Sequence, residues 1–195
     1  MDFIEGNIYH IYNRGNNKKR IFYSRKNYEY FLTKVSKYIL PNCDLLSYTL
    51  MPTHFHFLIH ANAITETPLK KGLIISNPLS EGLRMMLSSY ARGINNQEGK
   101  TGNLFQQNTK FKCVSLKHTD YSLVCFHYIH QNPLRAGLVK KLENWPYSSF
   151  NEYLTPVKVK YCNKELADEL LDLNMERFYN DSYQAIEEDV SKFLF

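Results

Sequence analysis

The stretch Ser47-Tyr48-Thr49-Leu50-Met51-Pro52-Thr53-His54-Phe55-His56-Phe57-Leu58-Ile59-His60 decides the fold. Two runs, about Asp44 to Met51 and His54 to His60, are joined only by Pro52 and Thr53, a spacing that makes them an antiparallel hairpin. Side chains at i and i+2 share a face of a strand, so Phe55, Phe57 and Ile59 line one side while His54, His56, Leu58 and His60 line the other. The first face is apolar and must be core. On the second, the His54 and His56 imidazoles point the same way, ~7 Å apart, which is ligand spacing for one metal ion. The competing reading is a solvated sheet surface that happens to carry histidines.

Upstream, Asn7 to Asn13 alternates as a strand does, and the polar run Arg14 to Arg20 is a loop. Ser24 is placed to cap a helix in which Tyr28, Phe31, Leu32, Val35 and Ile39 recur at helical spacing, with Pro41-Asn42 as the stop. Downstream, Asn62 to Ser80 shows no sustained period and reads as a connecting excursion. Leu83, Met86, Leu87, Tyr90, Ala91 and Ile94 restore a helix, closed by Asn95 to Gly99. Leu104 to Leu116 reads as a fourth strand with Lys110, Lys112 and Lys117 on its edge. A further helix is expected from Thr119 to about Asn132, ending there because Pro133 disfavours helical geometry in the residue before it. Two short acidic amphipathic stretches follow, Lys164 to Leu173 and Ser182 to Leu194. The order strand, helix, strand, strand, helix, strand is that of an α+β, ferredoxin-like (RRM-like) antiparallel sheet with helices on one face, here followed by an extra helix and a helical tail.

The chain has 195 residues, of which 44% are hydrophobic and 22% charged, the composition of a globular domain with one main core. No apolar run approaches the roughly 18 residues needed to cross a bilayer, and Met1 to Glu5 lacks a signal-peptide pattern, so the chain reads as cytoplasmic with no membrane partner. Cys43, Cys113, Cys125 and Cys162 stand apart without a C-x-x-C pair, as buried thiols rather than a zinc knuckle or a redox pair. The net charge of +5 hides an asymmetry: residues 1–142 hold 19 Lys and Arg against 8 Asp and Glu, and residues 143–195 hold 5 against 11. A basic, Tyr- and Phe-rich body fits a nucleic-acid partner, because cations release phosphate counterions and aromatic rings stack on bases. The acidic tail reads either as a lid competing with that partner or as a solvated appendage, the latter being the simpler.

A metal site needs a third ligand, and the helix before Pro133 offers one. Tyr128 and Asn132 are four apart and share a helical face. If that face covers the histidines, an oxygen ligand and a phenol arrive together. Asn132 as a helix C-cap is the alternative. Gln131 is a rival ligand, and Tyr121 a rival nucleophile.

These residues carry a resemblance. His54-Phe55-His56, led in by Met51-Pro52-Thr53, looks like the H-hydrophobe-H motif of the HUH single-tyrosine transposases. Tyr9-His10-Ile11-Tyr12-Asn13-Arg14-Gly15 resembles their first strand and turn, and Gly102-Asn103-Leu104-Phe105-Gln106 resembles the lead-in to their fourth strand. Tyr128-Ile129-His130-Gln131-Asn132-Pro133-Leu134-Arg135-Ala136-Gly137 resembles the segment that carries their nucleophile, and Trp145-Pro146-Tyr147-Ser148-Ser149 completes the pattern. The resemblance spans roughly residues 7–150 and is closest to the REP-associated tyrosine transposase branch. It departs at Gln107-Asn108-Thr109, where relatives more often read Gly-Arg-Phe, and after about residue 155.

The resemblance implies a catalytic domain over residues 1–150; residues 151–195 read, from their own amphipathic stretches, as a C-terminal helical extension packed on or near the body. It implies an enzyme that cleaves and rejoins single-stranded DNA, including hairpin DNA, as a monomer or homodimer. Tyr128 would be the nucleophile, forming a 5′-phosphotyrosine, and His54, His56 and Asn132 the ligands of a Mg²⁺ or Mn²⁺ ion. Arg14, Lys18, Lys19, Arg20, Lys110 and Lys112 are the expected DNA-contacting cations. A non-catalytic single-strand binder on the same sheet is the alternative function.

Overall fold

The computed structural model describes residues 3–71, 74–116, 119–155 and 161–184. Its centre is an antiparallel sheet built from β1 (Ile8–Arg14), β2 (Asp44–Met51), β3 (His54–His60) and β6 (Lys110–Cys113), in the order β2-β3-β1-β6. This is the ferredoxin-like order, so the α+β architecture stands as expected. Register follows the hairpin: Leu50 faces Phe55 and Tyr48 faces Phe57 across β2 and β3, while Ile11 faces Phe57 and Tyr12 faces His56 across β1 and β3.

The Phe55 face is covered by α1 (Arg25–Tyr38) and α3 (Pro78–Glu98). Helix α1 buries Tyr28, Phe31, Leu32 and Val35, and α3 buries Leu79, Leu83, Met86, Tyr90 and Ile94, each at helical spacing. Phe31 lies 5.2 Å from Phe55 and 4.9 Å from Tyr90, ring to ring, which locks both helices onto β3. Ser24 occupies the N-cap of α1, where the Asn27 side chain accepts hydrogen bonds from the backbone N–H groups of Tyr23 and Ser24. The opposite face is covered by α4 (Ser122–Arg135), packed over β2 and β3, so the sheet is buried on both sides.

Several boundaries differ from those read in the sequence. Within the excursion lie α2 (Ala63–Glu66), capped by Asn62, and a small hairpin of β4 (Leu69–Lys71) and β5 (Ile74–Ser76). Helix α3 starts five residues before Leu83, because Asn77 caps it and Pro78 sits in its first turn. The expected strand Leu104 to Leu116 is interrupted: Phe105 bridges to Gly15, residues 106–109 loop out, and regular pairing begins at Lys110. The Asn13 side chain fills the gap, donating to the Gln106 carbonyl and the Thr109 hydroxyl. Ser115–Leu116 (β7) leaves the main sheet to pair with Thr119–Asp120 (β8). Lys117 lies outside the described residues.

Helix α4 runs through Pro133 to Arg135. The proline is tolerated in the last turn, and Gly137, at φ +67°, ends the helix with its N–H on the Leu134 carbonyl. Asn132 is therefore inside the helix and is not its C-cap.

The segment Trp145 to Ser149 staples the β2 edge. Leu50 N–H donates to the Tyr147 carbonyl, Ser149 N–H to the Tyr48 carbonyl, and Trp145 Nε1 to the Leu50 carbonyl. The Tyr147 ring stacks on Tyr28 at 3.6 Å. An edge strand that would otherwise present unpaired backbone groups is thereby closed.

The chain continues through α5 (Phe150–Leu154), α6 (Lys164–Leu171) and α7 (Phe178–Asp181). The described part of the tail is packed rather than a solvated appendage: Ala167, Leu171 and Phe178 are buried, and Phe178 joins Phe126, Phe150 and Tyr153 in one aromatic cluster. All but the first three residues of the second acidic stretch lie outside the described residues. The four cysteines are free, three of them buried and Cys113 half-buried. No helix among the described residues is long and apolar enough to cross a membrane.

Helix α3 approaches the end of α1 at Gly82, where a Cβ would overlap the Tyr38 carbonyl oxygen. Gly82→Ala must push the two helices apart. It is expected to cost about 1–3 kcal/mol, as overpacking does. Thermal unfolding checks it: the melting temperature falls by several degrees, and an unchanged value would mean that the contact yields freely.

Candidate active site

On the α4 face of β3, the His54 and His56 rings lie edge to face with centroids 5.0 Å apart. His56 is fully buried and His54 half-buried. Strand register places Arg14 opposite His54, Tyr12 opposite His56 and His10 diagonal to His56, all on this face. His10 is itself fully buried, and its Nε2 lies 2.9 Å from His56 Nδ1, with the two rings stacked at 5.1 Å. His54 Nδ1 lies 2.9 Å from the Thr53 hydroxyl. Each histidine of the pair thus has its Nδ1 held by a neighbour.

The same environment keeps both rings neutral. Burial, with Arg14 nearby, lowers the His54 pKa to about 4. Burial also holds His56 well below the usual imidazole range, reinforced by the His10 and His54 rings. Neutral imidazoles with one nitrogen engaged are the form in which histidine binds metals.

Helix α4 supplies the other groups. Tyr128, Asn132 and Arg135 fall at i, i+4 and i+7 on one helical face. The buried Tyr128 ring stands edge-on to His56 and to His10, with centroids 6.3 and 6.5 Å away. Asn132 Nδ2 donates to the Tyr128 carbonyl at 2.9 Å. Burial raises the Tyr128 phenol above its ordinary range. The Arg135 guanidinium, 5.7 Å from the ring centroid, and the Asn132 side chain act in the opposite direction.

The rivals are turned elsewhere. Gln131 points to the tail, donating to the Ser182 and Gln184 carbonyls at 3.0 and 2.7 Å. Tyr121 is the N-cap residue of α4, two turns from Tyr128. On the buried side of α4, His130 Nε2 and the Ser149 hydroxyl lie 2.8 Å apart, and that hydroxyl also accepts the Tyr48 N–H. This Ser–His pair is enclosed, joining the helix to the β2 edge.

The six expected cations divide between two places. Lys112 pairs with His10, Lys110 with Tyr12 and Arg14 with His54, so these three flank the histidine face. Arg14 Nε is buried with no hydrogen-bond partner among the described residues. Lys18, Lys19 and Arg20 are exposed in the turn after β1, and Lys19 and Arg20 line a separate cavity with Tyr23 and Lys100.

Among the described residues no three His, Cys, Asp or Glu side chains converge to hold an ion. A cation on this face would therefore have two imidazoles and oxygen donors such as the Asn132 amide. That mixed N/O set fits a divalent ion with open positions rather than a closed structural zinc site. His10 and Thr53 join this arrangement without being marked by the histidine motif itself. The only available signal for His10 was its alternation with Tyr12 on one strand face.

No family model matches the chain, and no curated protein matches it. Its structure is similar to the solved structure of a REP-associated tyrosine transposase bound to a REP hairpin, with a TM-score of 0.59 and 16% sequence identity, covering 79% of this chain and 82% of that one. At this identity the likeness speaks for the fold: the chain folds as a REP-associated tyrosine transposase does.

Proposed function

We propose that the protein cleaves and rejoins single-stranded DNA through a 5′-phosphotyrosine on Tyr128. The observation that carries the reading is the Tyr128 ring standing edge-on to the His10–His56 pair, with Asn132 and Arg135 on the same helical face. The structural neighbour's hairpin partner supports hairpin-bearing DNA as the substrate class.

Tyr128 is protonated at neutral pH, since burial moves its titration upward. Attack on the scissile phosphorus forms the Tyr128 O–P bond and breaks the P–O3′ bond; the phenolic proton passes to solvent and the departing 3′-oxygen takes one up from solvent to become a free 3′-hydroxyl. Arg135, with its guanidinium 5.7 Å from the ring centroid, favours the phenolate by charge. A second 3′-hydroxyl then attacks the phosphotyrosine, restoring Tyr128 and transferring the strand. The phosphoester energy is conserved, so no nucleotide triphosphate is needed. Arg14, Lys110 and Lys112 offset the backbone charge of a strand lying on this face.

His54, His56 and Asn132 would hold Mg²⁺ or Mn²⁺, nitrogen donors favouring the latter. When bound, the ion would supply Lewis-acid polarisation of the scissile phosphate. A ligating His56 would donate its Nδ1–H to His10 Nε2, leaving Nε2 for the ion, so His10 is a positioning residue.

Labelled hairpin-bearing single-stranded DNA incubated with the protein and Mn²⁺ should yield a covalent adduct that is stable to denaturation. Tyr128→Phe should abolish it. Binding without any adduct would favour the non-catalytic alternative, and an adduct surviving Tyr128→Phe would move the nucleophile elsewhere.

The ligand set has its own check. By isothermal titration, Mn²⁺ affinity should be lost in His56→Ala and reduced about 10–100-fold in His10→Phe, the range for removing an outer-shell partner. Chelation of the native protein should stop adduct formation. Unchanged Mn²⁺ affinity in His56→Ala would remove that residue from the proposed ligands.

A further inference from the structure

The histidine face carries a second phenol. Tyr12 of β1 stands opposite His56 on β3 and opposite Lys110 on β6, so it occupies the middle of the face, between the imidazole pair and the basic edge strand. Its ring centroid lies 4.9 Å from that of His10 and 5.7 Å from that of His56, tilted by 31° to each, and the two imidazoles are themselves 21° from parallel. The three rings form one loosely parallel cluster. Exposure divides its members: His10, His56 and Tyr128 are buried, whereas Tyr12 is half-buried and Lys110 exposed. Tyr12 is also close enough to Tyr128 that charge on its phenol opposes ionisation of the Tyr128 phenol.

A strand running from Tyr128 to the cations of β6 passes over Tyr12. A half-exposed aromatic ring with a lysine beside it suits one unstacked nucleotide, the ring taking the base and the ammonium the phosphate. Burial against His10 and His56 fixes the Tyr12 ring in advance, so little side-chain freedom is lost when a base settles on it. We propose that Tyr12 contacts the substrate: its ring stacks on the base of the nucleotide next to the scissile phosphate, Lys110 meets the backbone of that nucleotide, and the pair fixes which phosphate is presented to Tyr128. The ring does this work and the hydroxyl is not required. The proposal deepens the strand-transfer reading and rests on it for the identity of the attacked phosphate.

Fluorescence anisotropy tests it on hairpin-bearing single-stranded DNA in which a single abasic site is moved along the strand. On the intact strand Tyr12→Leu should weaken binding about five- to a hundred-fold, the range for losing one base–aromatic stack, and Tyr12→Phe should stay within about two-fold of native. Circular dichroism establishes that both variants are folded. At one abasic position the Tyr12→Leu loss should vanish, because the stack is already gone, whereas a residue that only packs the face would lose affinity equally at every position. 4-Thiothymidine at that position should cross-link the native protein to Tyr12 within the tryptic peptide of residues 1–14, a measurement that needs no variant. Losses that add at every abasic position, or a Tyr12→Phe loss equal to that of Tyr12→Leu, overturn the stack. Additive losses in a protein that still forms the covalent adduct refute the stack alone. A cancelling position without any adduct refutes the strand-transfer reading alone. Where both are seen, the cancelling position adjoins the phosphate recovered on Tyr128, and a remote one overturns the placement.

Discussion

The burial of β3 on both faces is the constraint on which the rest of the structure depends. A strand between β2 and β1 with helices above and below has no solvated side, so each residue parity must answer a different partner. Phe55, Phe57 and Ile59 answer with hydrophobic area against α1 and α3. His54 and His56 face α4, and their polar atoms need hydrogen bonds to make that burial tolerable. The His10 and Thr53 contacts serve that need. A one-residue slip would exchange the two faces and place imidazoles in the aromatic core.

Helix α4 is held from behind. Phe126 packs against His130, Tyr153 and Phe178, His127 Nδ1 lies 3.0 Å from the Ser182 hydroxyl, and Gln131 grips the tail carbonyls. These contacts set the rotation of the helix about its axis. With Gln131 committed to the tail, Tyr128, Asn132 and Arg135 share one helical face beside the histidines. The extension after residue 150 thus acts on the candidate site through the orientation of one helix, although its sequence carries no recognisable site motif.

Much of this was legible locally. Alternation in β3, helical spacing in α1 and the two-residue connection at Pro52-Thr53 are short-range signals that the tertiary structure reinforces. The start of α3 was also written in the chain, as Asn77 followed by Pro78, but was obscured by the aperiodic residues before it. The break before β6 was not legible, because the residue that stabilises it, Asn13, lies 93 positions from Gln106. Pro133 is ambiguous for a related reason: in the final helical turn its missing N–H costs little, and only the position of the helix end reveals that.

By itself, then, the sequence determined the alternating faces of β3, the order of the main elements and the i, i+4 placement of Tyr128 and Asn132, because each depends on backbone geometry over a few residues. Only the tertiary structure decided that His10 supports His56, that Asn132 rather than Gln131 shares a helical face with Tyr128 beside the histidines, and that the cations divide between the histidine face and the exposed turn after β1. Those outcomes follow from strand register and helix rotation, which are set by packing between segments far apart in the chain.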